Sequence, residues 1–99
     1  MVLIRNVFRL KFGKAREAVA LMKEGLAIQK RLGAPFDSRI MTDVTGPFYT
    51  LVLELTVANL ATFETEAPKY MGDKEFQANY QKLAPLVESG YREVFTIVE

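Results

Sequence analysis

The sequence predicts an α+β domain of the ferredoxin-like βαββαβ kind, a four-stranded antiparallel sheet with helices on one face. Three observations carry that prediction. Segments with a two-residue apolar period and segments with a 3.6-residue period alternate in the order strand, helix, strand, strand, helix, strand. These six elements use nearly all of the 99 residues, so a single domain over residues 1–99 is expected. The third strand, residues 48–57, is apolar on both faces, whereas one layer of helices covers only one face of a sheet.

Residues 2–12 alternate. Val2, Ile4, Phe8, Leu10 and Phe12 share one face, interrupted by Asn6, and Leu3, Arg5, Val7, Arg9 and Lys11 share the other. Gly13 ends this strand. Residues 14–32 read as a helix whose apolar arc holds Ala15, Ala18, Val19, Met22, Leu26 and Gln29, with Leu21, Ile28 and Leu32 widening it. Arg16, Glu17, Lys23, Glu24, Lys30 and Arg31 form its solvated face. Gly25 costs about 1 kcal/mol against alanine inside a helix, and close approach to the sheet would account for it. Gly33 and Ala34-Pro35 stop the helix.

Residues 36–44 form the second strand, with Ile40, Thr42 and Val44 opposed to Arg39, Met41 and Asp43. Thr45-Gly46-Pro47 turns the chain into the third strand. There Leu51, Leu53 and Leu55 face the helices, since burying each contributes about 1.5–3 kcal/mol. Asn59 caps the second helical region, which Pro68 is expected to break and Asp73 to restart. Phe76, Tyr80, Leu83 and Val87 read as a buried stripe. Pro85 is expected to distort the last turn, Ser89-Gly90 to end it, and residues 91–99 to form the fourth strand. Right-handed crossovers place the first and third strands in the centre, giving the order 4-1-3-2. The helix-free face would then carry Leu3, Arg5, Val7, Arg9, Met41, Val52, Val94 and Val98. That mixture suits a semi-polar interface, so a homodimer with two sheets face to face is expected.

Composition excludes whole classes of chemistry. The chain has no cysteine, histidine or tryptophan. Thiolate catalysis, disulfides, a Ser-His-Asp triad and histidine-ligated haem are therefore ruled out, and neither a metal nor a cofactor is expected. Thirteen basic and 12 acidic residues, evenly mixed, give a net charge of +1, so nucleic acid and anionic membrane are not expected partners. RNA-recognition motifs share the βαββαβ order but stack bases on aromatic residues two apart on the third strand. Phe48, Thr50 and Val52 occupy that face here. No apolar run approaches the ~18 residues of a membrane span, and Met1-Val2-Leu3-Ile4 runs directly into Arg5 without a signal-peptide pattern, so a cytoplasmic location is the expectation.

Three segments together resemble the dimeric α+β-barrel superfamily, which includes NIPSNAP-like proteins and small antibiotic-biosynthesis-type monooxygenases. They are Phe12-Gly13-Lys14-Ala15-Arg16-Glu17, then Gly46-Pro47-Phe48-Tyr49-Thr50-Leu51-Val52-Leu53-Glu54-Leu55 followed by Asn59-Leu60-Ala61-Thr62-Phe63-Glu64, and Leu86-Val87-Glu88-Ser89-Gly90-Tyr91-Arg92-Glu93. The resemblance implies a homodimer and a cavity between sheet and helices. It also implies two alternative roles for that cavity. One is cofactor-independent oxidation of an aromatic or polyketide-like substrate, and the other is non-catalytic ligand binding or assembly. A polar asparagine on the first strand recurs in the oxygenase branch, and Asn6 matches its place. The missing histidine and tryptophan set the chain apart from the haem-degrading branch.

Six residues are candidates for substrate binding: Asn6, Arg39, Tyr49, Glu54, Tyr70 and Tyr80. Asn6 breaks an apolar row, and a buried amide without partners costs about 1–3 kcal/mol; it either bonds a neighbouring side chain or meets a ligand. The three tyrosines, with Phe63 and Phe76, either fill the core or line a pocket in which a hydroxyl orients a small apolar or aromatic molecule. Glu54, within reach of Arg5, Arg9 and Arg39, is either an ion-pair partner on the helix-free face or a general base.

Overall fold

The structure is a computed structural model and describes residues 1–98. Its elements are β1 (Val2–Leu10), α1 (Ala15–Arg31), β2 (Asp37–Thr42), β3 (Thr50–Val57), α2 (Leu60–Met71), α3 (Lys74–Leu83) and β4 (Val87–Thr96), with a 3₁₀ turn over Ala84–Leu86 before the last strand. All strand pairs are antiparallel and the sheet order is β2-β3-β1-β4, the order expected from right-handed crossovers. The helices lie on the face carrying Ile4, Leu51, Leu53 and Leu55, where Ala18 and Met22 of α1 complete the core. The molecule measures 36 × 35 × 17 Å. The short dimension corresponds to one layer of helix on one layer of sheet.

Local chemistry sets the ends of the elements. Asn59 Oδ1 accepts from the Thr62 N–H at 2.8 Å and starts α2, and Asp73 Oδ2 accepts from the Phe76 N–H at 3.0 Å and starts α3. At the end of α1 the Gly33 N–H donates to Lys30 O and the Ala34 N–H to Gln29 O, with Gly33 at φ +83°. That paired closure needs a left-handed residue, which glycine adopts without strain.

Several sequence expectations are corrected here. Pro68 lies inside α2, and the helix runs on to Met71 before the chain breaks at Gly72; proline removes one N–H bond without obliging the next turn to stop. Gly25 faces α3 rather than the sheet: a Cβ there would stand 2.8 Å from Asn79 Oδ1. On α3 the buried position is Asn79, while Tyr80 is 61% exposed. The last strand begins at Val87, not after Gly90, and Val87 pairs with Leu10. Gly90 sits within the strand opposite Phe8, where a Cβ would meet Val7 O at 3.0 Å. Between Ser89 and Val87 the register shifts, so Glu88 is the extra residue of a bulge. Strand β4 ends at Thr96, and Glu99 lies outside the described residues.

Register also corrects the composition of the helix-free face. Arg5 lies opposite both Glu54 and Glu93, so Tyr91, Glu93 and Phe95 point away from the helices, and Val94, opposite Ile4, points toward them. Val98 falls beyond the end of β4. Arg39 is opposite Glu54 on β3. One charged residue from each strand thus forms a row, Arg39–Glu54–Arg5–Glu93, across the whole sheet. Arg39 Nε donates to Glu54 Oε1 at 2.8 Å, Arg5 Nε lies 3.5 Å from Glu54 Oε2, and Arg5 Nη1 donates to Glu93 Oε1 at 2.9 Å. No element of the chain covers this face, yet Val7, Val52 and Glu54 are buried on it. The neighbouring long side chains are what cover them.

Candidate functional site

A cavity of about 300 Å³ lies between the sheet and all three helices. Its floor is the helix-facing row of the central strands, with Asn6 and Phe8 from β1 and Leu53 and Leu55 from β3. One wall is aromatic. Tyr70 meets Phe76 edge-on at 5.2 Å and Phe36 at 6.0 Å, and Phe36 packs on Phe63 at 5.6 Å. Met22, Leu26 and Leu83 close the remaining apolar surface. The cavity exists because α1 carries Gly25 where α3 carries Asn79. The two helices meet through an amide, whose Nδ2 donates to Leu21 O at 2.9 Å, instead of through interlocking large side chains.

The polar groups converge from three elements. Asn6 is 8% exposed and lies directly opposite Arg92 on β4. Arg92 Nε donates to Asn6 Oδ1 at 2.7 Å, and its guanidinium carbon stands 5.6 Å from the Phe63 ring centroid. Tyr70 is 4% exposed. Burial pushes its phenol above the ordinary tyrosine value, and the positive charge of Arg92 opposes that shift. No buried side-chain polar atom lacks a partner among the described residues. Tyr70 lines the cavity and its hydroxyl enters no side-chain hydrogen bond. Asn6 lines it too, and only the oxygen of its side chain is engaged.

Of the six sequence candidates, the structure brings together Asn6, Tyr70 and Tyr80, the last at the exposed rim. Tyr49 lies elsewhere. It sits at φ +58° just before β3, held by the Leu10 N–H to its carbonyl at 2.8 Å and by an edge-on contact with Phe12 at 4.8 Å. It borders a wider, more open depression of about 770 Å³ with Phe12, Arg16, Lys23 and Phe48. Phe12 and Phe48 are 80% and 73% exposed there. Arg39 and Glu54 lie on the opposite face of the sheet, where both Glu54 oxygens meet arginines. Sequence reasoning missed Arg92, Asn79 and Gln29. The alternation of the last strand contained Arg92, since pairing Glu93 with Arg5 on the outer face sends Arg92 inward.

Among the described residues no group of three or more His, Cys, Asp or Glu side chains is placed to hold a metal ion, and no helix is long and apolar enough to cross a membrane. No protein-family profile matches the chain, and no curated protein is detectably similar in sequence. Solved structures are similar in fold. A NIPSNAP family protein from Agrobacterium tumefaciens superposes with a TM-score of 0.88 at 22% identity, covering 99% of this chain and 93% of that one. An uncharacterized NIPSNAP domain protein from Burkholderia xenovorans gives 0.87 at 18% identity, over 99% and 95%. The chain shares the fold of these two proteins. SnoaB, a cofactor-independent oxygenase from Streptomyces nogalater, shares the same architecture at a TM-score of 0.74 and 15% identity, over 99% and 93%. The NIPSNAP and oxygenase folds are thus one scaffold, as the sequence resemblance implied.

Proposed function

We propose that the protein binds a small, mostly aromatic molecule in the helix–sheet cavity and oxidises it without a cofactor, as a homodimer joined through the helix-free sheet face. The observation that carries this reading is the convergence of Asn6, Tyr70 and Arg92 on one apolar cavity of about 300 Å³, the size at which ligand pockets begin. That a cofactor-independent oxygenase has the same fold supports the reaction class. Among the described residues the cavity lining contains no aspartate or glutamate, and the chain contains no histidine. The substrate itself must then be acidic enough to supply the electron-rich species, such as a phenolate. Asn6 N–H and the Tyr70 hydroxyl orient that anion. In the net reaction the substrate loses two hydrogens, its acidic one and the C–H of the carbon that is oxygenated. Dioxygen leaves one oxygen on that carbon as a carbonyl, and the other departs as water with those two hydrogens.

The dimer rests on the outer face. Tyr91 and Phe95 are 58% and 46% exposed there, on either side of the charged row. That row alternates in sign from strand to strand and can meet its own copy about a two-fold axis. Sedimentation at micromolar concentration tests this part: a persistent single chain of 11.2 kDa would remove it.

Oxygen uptake with polyphenolic substrates tests the activity. Uptake by the wild-type protein that is lost in Asn6→Ala supports oxidation. A second reading, a non-catalytic binder, is favoured by the missing side-chain base. Binding without uptake would establish it over the first.

A further inference from the structure

We infer that the ligand of this cavity carries an anionic group, a carboxylate or its equivalent, bound at the rim by Arg92. The inference rests on the cavity-binding reading and goes beyond it by naming the ligand's charge and the residue that reads it. Among the described residues the cavity lining includes one cationic side chain, Arg92, and no anionic one. The other five arginines and all seven lysines lie outside the lining. Those that form ion pairs do so with carboxylates: Arg5 with Glu54 and Glu93, Arg39 with Glu54, Arg31 with Glu75, and Lys69 with Glu66. Arg92 enters no ion pair among the described residues, and its one side-chain bond goes to a neutral acceptor, Asn6 Oδ1 at 2.7 Å.

Its orientation is fixed in a way that suits an anion. The Nε–H is committed to Asn6 and the plane is steadied by the Phe63 ring at 5.6 Å. The two terminal nitrogens remain uncommitted, and a guanidinium presents such donors in a fork that matches the two oxygens of a carboxylate. Asn6 and Tyr70 line the same cavity as Arg92. An acid whose aromatic body rests against Phe63, Tyr70 and Phe76 would therefore place its carboxylate at Arg92, at the solvent-facing edge of β4. A fixed charge at the rim also avoids burying an ion in the apolar interior.

The test uses matched pairs of probes, benzoate against benzamide and 2-naphthoate against 2-naphthamide. Their dissociation constants are measured by titration calorimetry with the wild-type protein, Arg92→Gln and Arg92→Lys. The expected result is that the acids bind wild type about tenfold more tightly than the amides. Arg92→Gln should lose that preference while still binding the amides, and Arg92→Lys, which keeps the charge but not the fork, should keep only part of it. Equal binding of acid and amide by wild type, or an acid preference that survives in Arg92→Gln, would overturn the inference and leave the binding reading intact. Failure of wild type to bind any of the four probes would overturn the binding reading, and the inference with it.

Discussion

Asn79 Oδ1 lies 2.8 Å from the point where a Cβ on Gly25 would stand, so α1 and α3 meet there as a glycine against an amide. Asn79 is 6% exposed and its Nδ2 is tied to Leu21 O. The short side chain has no free direction in which to retreat. Gly25→Ala should gain about 1 kcal/mol of helix propensity and lose about 1–3 kcal/mol to overpacking and the strained bond, a net destabilisation. In an Asn79→Ala background the collision is gone, and the same substitution should become neutral or stabilising. Urea unfolding of the two single variants and the double variant measures that reversal of sign.

Tyr70 makes stability depend on alkaline pH. Burial raises its phenol above the unfolded value of about 10. A group whose folded value is raised contributes stability that is complete below the unfolded value and is lost as pH climbs through the folded one. Stability should therefore fall above about pH 10, and Tyr70→Phe should flatten that part of the profile. Unfolding midpoints from pH 8 to pH 11 in the wild type and the variant test this.

Glu54 holds the outer charged row together. Its side chain is 10% exposed, whereas Arg39 and Arg5 are 72% and 33% exposed. Solvent screening of the arginines limits the value of each pair, so Glu54→Ala should destabilise the fold by about 1–2 kcal/mol rather than the larger loss of a fully buried pair. Arg39→Ala combined with Glu54→Ala should cost less than the sum of the two, as a double-mutant cycle in denaturant would show. Removing Glu54 also leaves the two arginines without their shared counter-charge on the proposed interface. Dimerisation measured by sedimentation should weaken in step.

Gly90 lets β4 approach β1 closely. A Cβ there would stand 3.0 Å from Val7 O and 3.1 Å from Phe8 Cδ1. Backbone cannot yield as a flexible side-chain tip can, so Gly90→Ala should destabilise by about 1–3 kcal/mol. Phe8 lines the cavity and Arg92 lies two residues along β4. Ligand binding by this variant should weaken as well, which comparison of its melting temperature with its titration calorimetry would resolve.

The sequence carried the architecture because each element announced itself in a pattern with a physical cause. Leu51, Leu53 and Leu55 fixed the inner face of β3, Asn59 and Asp73 started the two later helices, and Gly33 stopped the first. Asn6 was visible as the amide in an apolar row. Gly90 and Pro68 read as breaks in the pattern, yet Gly90 is a close approach of β4 to β1 and Pro68 is absorbed within α2. Gly25 reads as a close approach, but which element it meets is a property of three-dimensional packing, and that element is α3 rather than the sheet. Starting the last strand at Tyr91 instead of Val87 also hid the bulge at Glu88. The start of the strand decides its faces, so the reading from Tyr91 puts Val94 outward whereas the register turns it inward. The spacing of Tyr80 from Phe76 and Leu83 fits a buried stripe, but Asn79 occupies the packed position one residue earlier.

The most direct test of the cavity as a ligand site is side-chain nuclear magnetic resonance during titration with 2-naphthoate. The Arg92 Nε–H and the amide groups of Asn6 and Asn79 each give their own signals. All three should move together and saturate with one dissociation constant, while backbone signals around Phe12, Phe48 and Tyr49 stay still. Signals that move only around Phe12, Phe48 and Tyr49, with those of Asn6, Asn79 and Arg92 unchanged, would contradict the account.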